Sequence, residues 1–197
     1  MVKIIFLHIC LFITTLCFSQ NKQRPSPPVN QKPIRTNYAA FSLEKRFAFY
    51  PFNKSYQIKV VSFGLQLDSN QRKHPDYYKL PTLNDTICIS KLDDIQTLSL
   101  TQIDTLTDIL YNECSRWNIR NYNEAGCYFP RNAILFYDKE GKVFEYMEIC
   151  FECIRINISN SKMRKPDVCD YMYKDLEAFF KRIGVRTSAY ELLQRAQ

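Results

Sequence analysis

The chain has 197 residues, of which 46% are hydrophobic and 24% charged, with a formal net charge of +7 and eight cysteines. That length supports one domain with a real core, and a modest basic excess spread along the chain without a recognition motif argues against nucleic-acid binding. Four glycines leave little room for a phosphate-cradling loop, and neither G-x-S-x-G nor H-E-x-x-H occurs.

Met1 to Ser19 carries one positive charge at Lys3, an apolar run from Ile4 to Leu16, and Cys17-Phe18-Ser19 before Gln20. This pattern predicts a secretory signal peptide over 1–19 and a periplasmic or extracellular destination. The apolar run is well short of the roughly 20 residues a spanning helix needs, and no later stretch is long enough, so no transmembrane segment is expected after leader removal. Six cysteines follow the leader: Cys88, Cys114, Cys127, Cys150, Cys153 and Cys169. In an exported chain an even count permits up to three disulfides among fifteen pairings.

Residues 20–40, with Pro25, Pro27, Pro28 and Pro33, predict a proline-rich flexible linker, and 41–197 a single α+β domain. Ser42 to Phe52 fits either a first strand or a short helix, ended by Pro51. Tyr56 to Leu67 clusters β-formers and predicts a strand, Asp68 to Leu83 a loop, and Thr86 to Ser90 a short strand holding Cys88. Ser99-Leu100-Thr101-Gln102 is a capping box. It opens a helix over about 99–113 whose inward face is Leu100, Ile103, Leu106, Ile109 and Leu110. Asn112 to Glu124 is polar, with Trp117 as its packing anchor.

Ala133 to Tyr137 and Val143 to Phe151 are rich in β-branched and aromatic residues, and Asp138-Lys139-Glu140-Gly141-Lys142 between them supplies a turn. A type I turn with Gly141 as bulge residue sets Asp138 opposite Lys142, so opposed residues sum to 280. Carried outward, that register sets Cys127 opposite Cys153, close enough for a disulfide. Pro130 weakens the extrapolation, because it cannot donate to a ladder. On a flat strand Cys150 and Cys153 face opposite ways. Only a chain reversal at Phe151-Glu152 brings them together.

Cys153 to Ser159 continues this strand or forms another, and a basic loop follows at Lys162 to Lys165. A second helix is expected over about 167–183, capped by Asp167, with Val168, Met172, Leu176, Phe179, Phe180 and Ile183 as its apolar stripe and Gly184 as its stop. Ser188 to Arg195 is a candidate terminal helix. The expected architecture is α+β: a mainly antiparallel sheet built on the central hairpin, about 133–151, with the two helices packed on it.

The candidate thiol or disulfide cluster is Cys127, Cys150 and Cys153, and Arg131 is the candidate anion or thiolate partner. Arg131 is also read as a strand-end arginine paired with a carboxylate such as Glu148. Cys150-Phe151-Glu152-Cys153 is a C-x-x-C, but it ends a strand, whereas a redox motif gains from a helix N-terminus. A four-thiolate zinc site from Cys127, Cys150, Cys153 and Cys169 would need two isolated cysteines to converge. Glu145 faces away from Glu148 and Glu152, with no histidine nearby for acid-base work. No catalytic constellation, resident metal or cofactor is therefore expected. The partner is an unidentified protein or small ligand.

Across Cys127-Tyr128-Phe129-Pro130-Arg131-Asn132-Ala133-Ile134 and Ile149-Cys150-Phe151-Glu152-Cys153, the chain resembles a group of exported bacterial proteins of Bacteroidetes type. They share a C-Y-x-P-R-x-x-I … I-C-F-x-C pattern, with no assigned activity. The resemblance spans roughly Ser99 to Phe180 and implies no function. Three readings follow from the residues: a non-enzymatic binding or interaction domain with a structural cysteine-bearing hairpin, a thiol-dependent or zinc-binding protein, and an immunity or inhibitor protein.

Overall fold

The computed structural model describes residues 39–65, 70, 79–84, 86–117 and 128–188. The expected signal peptide, nearly all of the proline-rich tract, Cys127 and the expected terminal helix lie outside them. In chain order the elements are α1 (Leu43–Phe47), β1 (Gln57–Phe63), β2 (Thr82–Leu83), β3 (Thr86–Ile87) and β4 (Leu92–Thr97). Then come α2 (Leu100–Trp117), β5 (Asn132–Tyr137), β6 (Val143–Cys150), β7 (Arg155–Ile158) and α3 (Asp170–Arg182). β4, β1, β5, β6 and β7 form one sheet in that order, every pairing antiparallel, while β2 and β3 pair separately. The α+β reading holds, with β5 at the centre of the sheet and β6 beside it in the interior.

Alternation along the strands builds two cores. Ile58, Val60, Ile134, Phe136, Met147 and Ile149 face α2 and α3, where they meet Leu106, Leu110, Met172, Leu176 and Phe180. Val61, Phe63, Ala133 and Leu135 face the other way and are covered by Leu80, Ile87 and Leu92. Because both faces are covered, every residue of β5 is buried. A fully buried aliphatic or aromatic side chain contributes roughly 1.5–3 kcal/mol, so this strand is where truncation is most damaging.

The hairpin turn forms as its residues dictate. Asp138 N–H donates to Lys142 O at 2.9 Å, Gly141 N–H donates to Asp138 O at 3.2 Å, and Gly141 takes φ +76°, where a side chain is strained. The register of 280 survives for one pair only, Tyr137 opposite Val143. Phe144 is then an extra residue, and from Phe136–Glu145 to Asn132–Ile149 the opposed positions sum to 281. The bulge also puts Val143 on the same side as Tyr146. The extrapolated pairing of Cys127 with Cys153 loses its basis, since the ladder is one residue out and ends at Asn132.

The Ser99 capping box closes as expected: Ser99 N–H donates to Gln102 Oε1 at 2.8 Å, and Gln102 N–H donates to Ser99 Oγ at 3.3 Å. The helix it starts runs on to Trp117, four residues beyond the expected end near 113. That extension is packed on two sides. α1 lies on the face away from the sheet, where buried Arg46 donates from Nε to Thr107 Oγ1 at 3.2 Å and pairs with Asp104. Asn112 exchanges two hydrogen bonds with the backbone of Phe41. Leu100, expected inward, is 74% exposed. α3 begins at Asp170 with Cys169 as its N-cap residue, later than expected, and ends before Gly184 at φ +85°.

β4 was not anticipated, because Asp93-Asp94 disfavours a strand. The aspartates are satisfied from elsewhere: Leu65 N–H donates to Asp93 at 2.9 Å, and Arg186 forks onto Asp94 at 2.8 and 2.9 Å while Ser62 Oγ donates at 2.6 Å. Burial opposes ionisation of Asp94, but the Arg186 side chain, the Ser62 hydroxyl and the Arg186 N–H together hold its carboxyl below the usual value of 3.8. A depressed folded pKa means stability that is present above the unfolded pKa and lost as pH falls through the folded one. Asp94→Asn is therefore expected to unfold at lower urea than the parent at pH 7, with the gap narrowing below about pH 4. A gap that does not change between pH 7 and pH 3 would contradict this.

Candidate functional site

The two halves of the cysteine-bearing pattern meet where β5 begins and β6 ends. Tyr128 O–H donates to Glu148 Oε2 at 3.4 Å, and Arg155 lies over the Tyr128 ring at 4.9 Å. Glu148 also accepts the Leu80 N–H at 3.0 Å. Burial, the Glu148 charge and the hydrogen bond to Glu148 push the Tyr128 phenol above its ordinary value, with Arg155 opposing. Tyr128 is thus a neutral donor rather than a base. Arg131, half-buried, pairs with Glu152 at 3.9 Å instead of the expected Glu148. The reason is strand alternation interrupted by a turn, which carries Glu152 off the strand line.

That turn decides the cysteines. Residues 151–154 reverse the chain between β6 and β7, and Cys153 N–H donates to Cys150 Sγ at 3.2 Å. Cys150 and Cys153 are 2% and 0% exposed. Ile154, immediately after, takes φ +52°, a left-handed conformation that a β-branched residue rarely adopts. The objection that a flat strand separates Cys150 from Cys153 is removed. Cys127 lies outside the described residues.

Cys169 is elsewhere. It is bonded to Cys114, 55 residues away, with Cα atoms 5.7 Å apart, and joins α2 to the start of α3. The four-thiolate zinc set of Cys127, Cys150, Cys153 and Cys169 is therefore not assembled, because a disulfide sulfur has no thiolate to offer. Among the described residues no three His, Cys, Asp or Glu side chains converge as a metal site. Cys88 is half-buried after β3.

A second feature lies at the other end of the sheet and was missed in the sequence. A groove of about 380 Å³ runs between α1, the start of β1 and the start of α2. Buried Phe52, Ile58 and Leu98 line it together with half-buried Phe47 and Ile103. Tyr56 and Leu100, 80% and 74% exposed, also line it and form its rim. Ser55, Gln57 and Thr97 supply polar atoms without a formal charge. The available signal was Leu100 itself: as the first residue inside a cap it need not share the inward face that the later apolar residues define.

The first feature offers a positioned cysteine pair and the second a recess of mixed apolar and uncharged polar lining; among the described residues neither sets a nucleophile beside a base. No protein-family model, curated protein or solved structure matches the chain.

Proposed function

We propose that the protein is an exported, non-catalytic binding domain that receives the apolar side chains of an extended peptide in the groove beside α2, with the cysteine-bearing hairpin as its scaffold. The observation that carries this reading is the groove: its volume falls in the range of ligand sites, its lining mixes aromatic and aliphatic side chains with uncharged polar ones, and it leaves a large aromatic and a leucine exposed at the rim. An extended partner suits the position, because Thr97 and Leu98 at the end of β4 form one wall. Among the described residues β4 pairs only with β1, which leaves a strand edge beside the recess. Export is supported by the leader pattern and by the buried Cys114–Cys169 bridge, a feature of oxidising compartments. No helix among the described residues is long and apolar enough to cross a membrane.

Displayed random heptapeptides should enrich sequences with aromatic or branched aliphatic residues on the wild-type chain. The double variant Tyr56→Ala, Leu100→Asp, altered only at exposed positions, should bind the enriched peptides at least about tenfold more weakly, the 1.4 kcal/mol expected from losing contacts of this size. Equal binding to both proteins, with an unchanged fold by circular dichroism, would reject the groove as the site.

A further inference from the structure

We propose that Cys150 and Cys153 form a reversible dithiol/disulfide couple that latches the turn between β6 and β7. The inference is independent of the groove and rests on the geometry of four residues. The turn places two cysteines three apart at a chain reversal, and the N–H of the second already donates to the sulfur of the first at 3.2 Å. An N–H aimed at Cys150 Sγ stabilises the negative charge that develops there when the bond breaks, which makes Cys150 the leaving sulfur of the two. Ile154 holds a strained left-handed backbone directly after the pair, so the surrounding structure over-determines this turn. Between the cysteines, Phe151 packs edge-on against Phe180 of α3 with ring centroids 5.5 Å apart. Any change in the turn is thereby passed to the helix-side core.

The reaction is thiol–disulfide exchange, with an exported dithiol protein as reductant. A thiolate of that donor attacks Cys153 Sγ, the Cys150–Cys153 bond breaks, and Cys150 leaves as the thiolate held by the Cys153 N–H. The second thiol of the donor then attacks its own sulfur in the mixed disulfide and releases Cys153. Two electrons and two protons have moved: the donor departs as a disulfide and the chain carries a dithiol. Because both cysteines are buried, exchange requires the turn to open. Glu152 within the turn lies 3.9 Å from Arg131, just before β5, and this charge pairing opposes that opening.

The chain suits a direct test, since trypsin leaves Val143–Arg155 as one peptide holding Cys150 and Cys153 and no other cysteine. Exported full-length protein is equilibrated in dithiothreitol redox buffers, trapped with a maleimide, digested without reduction and weighed. The expected result is one transition of this peptide, from a species two hydrogen atoms lighter than the dithiol and unlabelled to one carrying two labels. Cys114–Cys169 should stay bridged at that midpoint, and Cys127→Ser should leave the transition in place. Cys150→Ser and Cys153→Ser should each abolish it. A peptide doubly labelled in every buffer, a cross-link of either cysteine to the peptide containing Cys127, or one equivalent of zinc retained by the reduced chain would each overturn the proposal.

Discussion

Removing the Cys114–Cys169 bridge, by the double variant Cys114→Ala, Cys169→Ala, is expected to lower Tm by roughly 10 °C. The bonded residues are 55 apart, and the chain-entropy account assigns a loop of that length about 4 kcal/mol. For a domain of this size each kcal/mol moves Tm by about 2–4 °C. The bridge also sits where two helices must dock: Trp117 of α2 stacks on Tyr171 of α3 with ring centroids 5.4 Å apart and planes inclined by 27°. Both residues are buried, at 8% and 0% exposure, so alanine leaves a void in the core. Differential scanning calorimetry of oxidised parent and variant gives the difference. A shift under about 2 °C would mean that helix packing alone fixes the α2–α3 arrangement. Reduction of the parent adds the effect of the Cys150–Cys153 turn, so the double variant is the cleaner measurement.

Glu145→Ala is expected to cost about 3 kcal/mol and to release Tyr50. Glu145 is 6% exposed on β6 and is held by three neutral donors: the Tyr50 hydroxyl, the Ser159 hydroxyl and Asn160 Nδ2 at 2.8 Å. Hydrogen bonds to a charged acceptor are worth roughly 1.5–3 kcal/mol each, and some of that returns because Tyr50 and Asn160 can reach water. Structurally the carboxylate ties two distant segments to one strand: the Tyr50-Pro51 stretch, whose peptide bond is cis, and the loop after β7. The hydrogen bond to Glu145, then burial, then the Glu145 charge push the Tyr50 phenol up to about 12. A raised folded pKa contributes stability that is fully present below the unfolded value near 10 and lost as pH rises toward 12. Difference absorbance of the phenolate should therefore show one tyrosine moving from about 12 toward 10 in Glu145→Ala. An unchanged titration would mean that the Tyr50–Glu145 contact is not made in solution.

The legible parts of this fold are those whose physics is local. The Asp138 to Gly141 turn, the Ser99–Gln102 capping box and the α3 stripe of Met172, Leu176, Phe179 and Phe180 are each set by residues a few positions apart. A glycine that reaches positive φ, a serine that accepts an N–H and a helical repeat of apolar side chains act before the rest of the chain is in place. From these alone the sequence specified an antiparallel hairpin, two amphipathic helices and hence the α+β class. It also narrowed the chemistry to the six cysteines after residue 19.

What the tertiary structure decided is everything whose partner lies far away in the chain. Asp93-Asp94 disfavours a strand, and Arg186, 92 residues further on from Asp94, supplies the charge that satisfies it within β4. Phe144 bulges within a hairpin whose turn geometry predicts no second irregularity, and that single extra residue moves the ladder from 280 to 281. Cys169 has five candidate partners in the sequence, and only the docking of α2 on α3 brings Cys114 to it. Cys150 and Cys153 face apart on a strand and together in a turn, and the turn exists because β7 folds back onto β6. The groove has almost no sequence signature beyond Leu100 at the helix cap. Its walls come from α1, β1, the end of β4 and the start of α2, and a recess arises only where separately folded surfaces fail to meet completely.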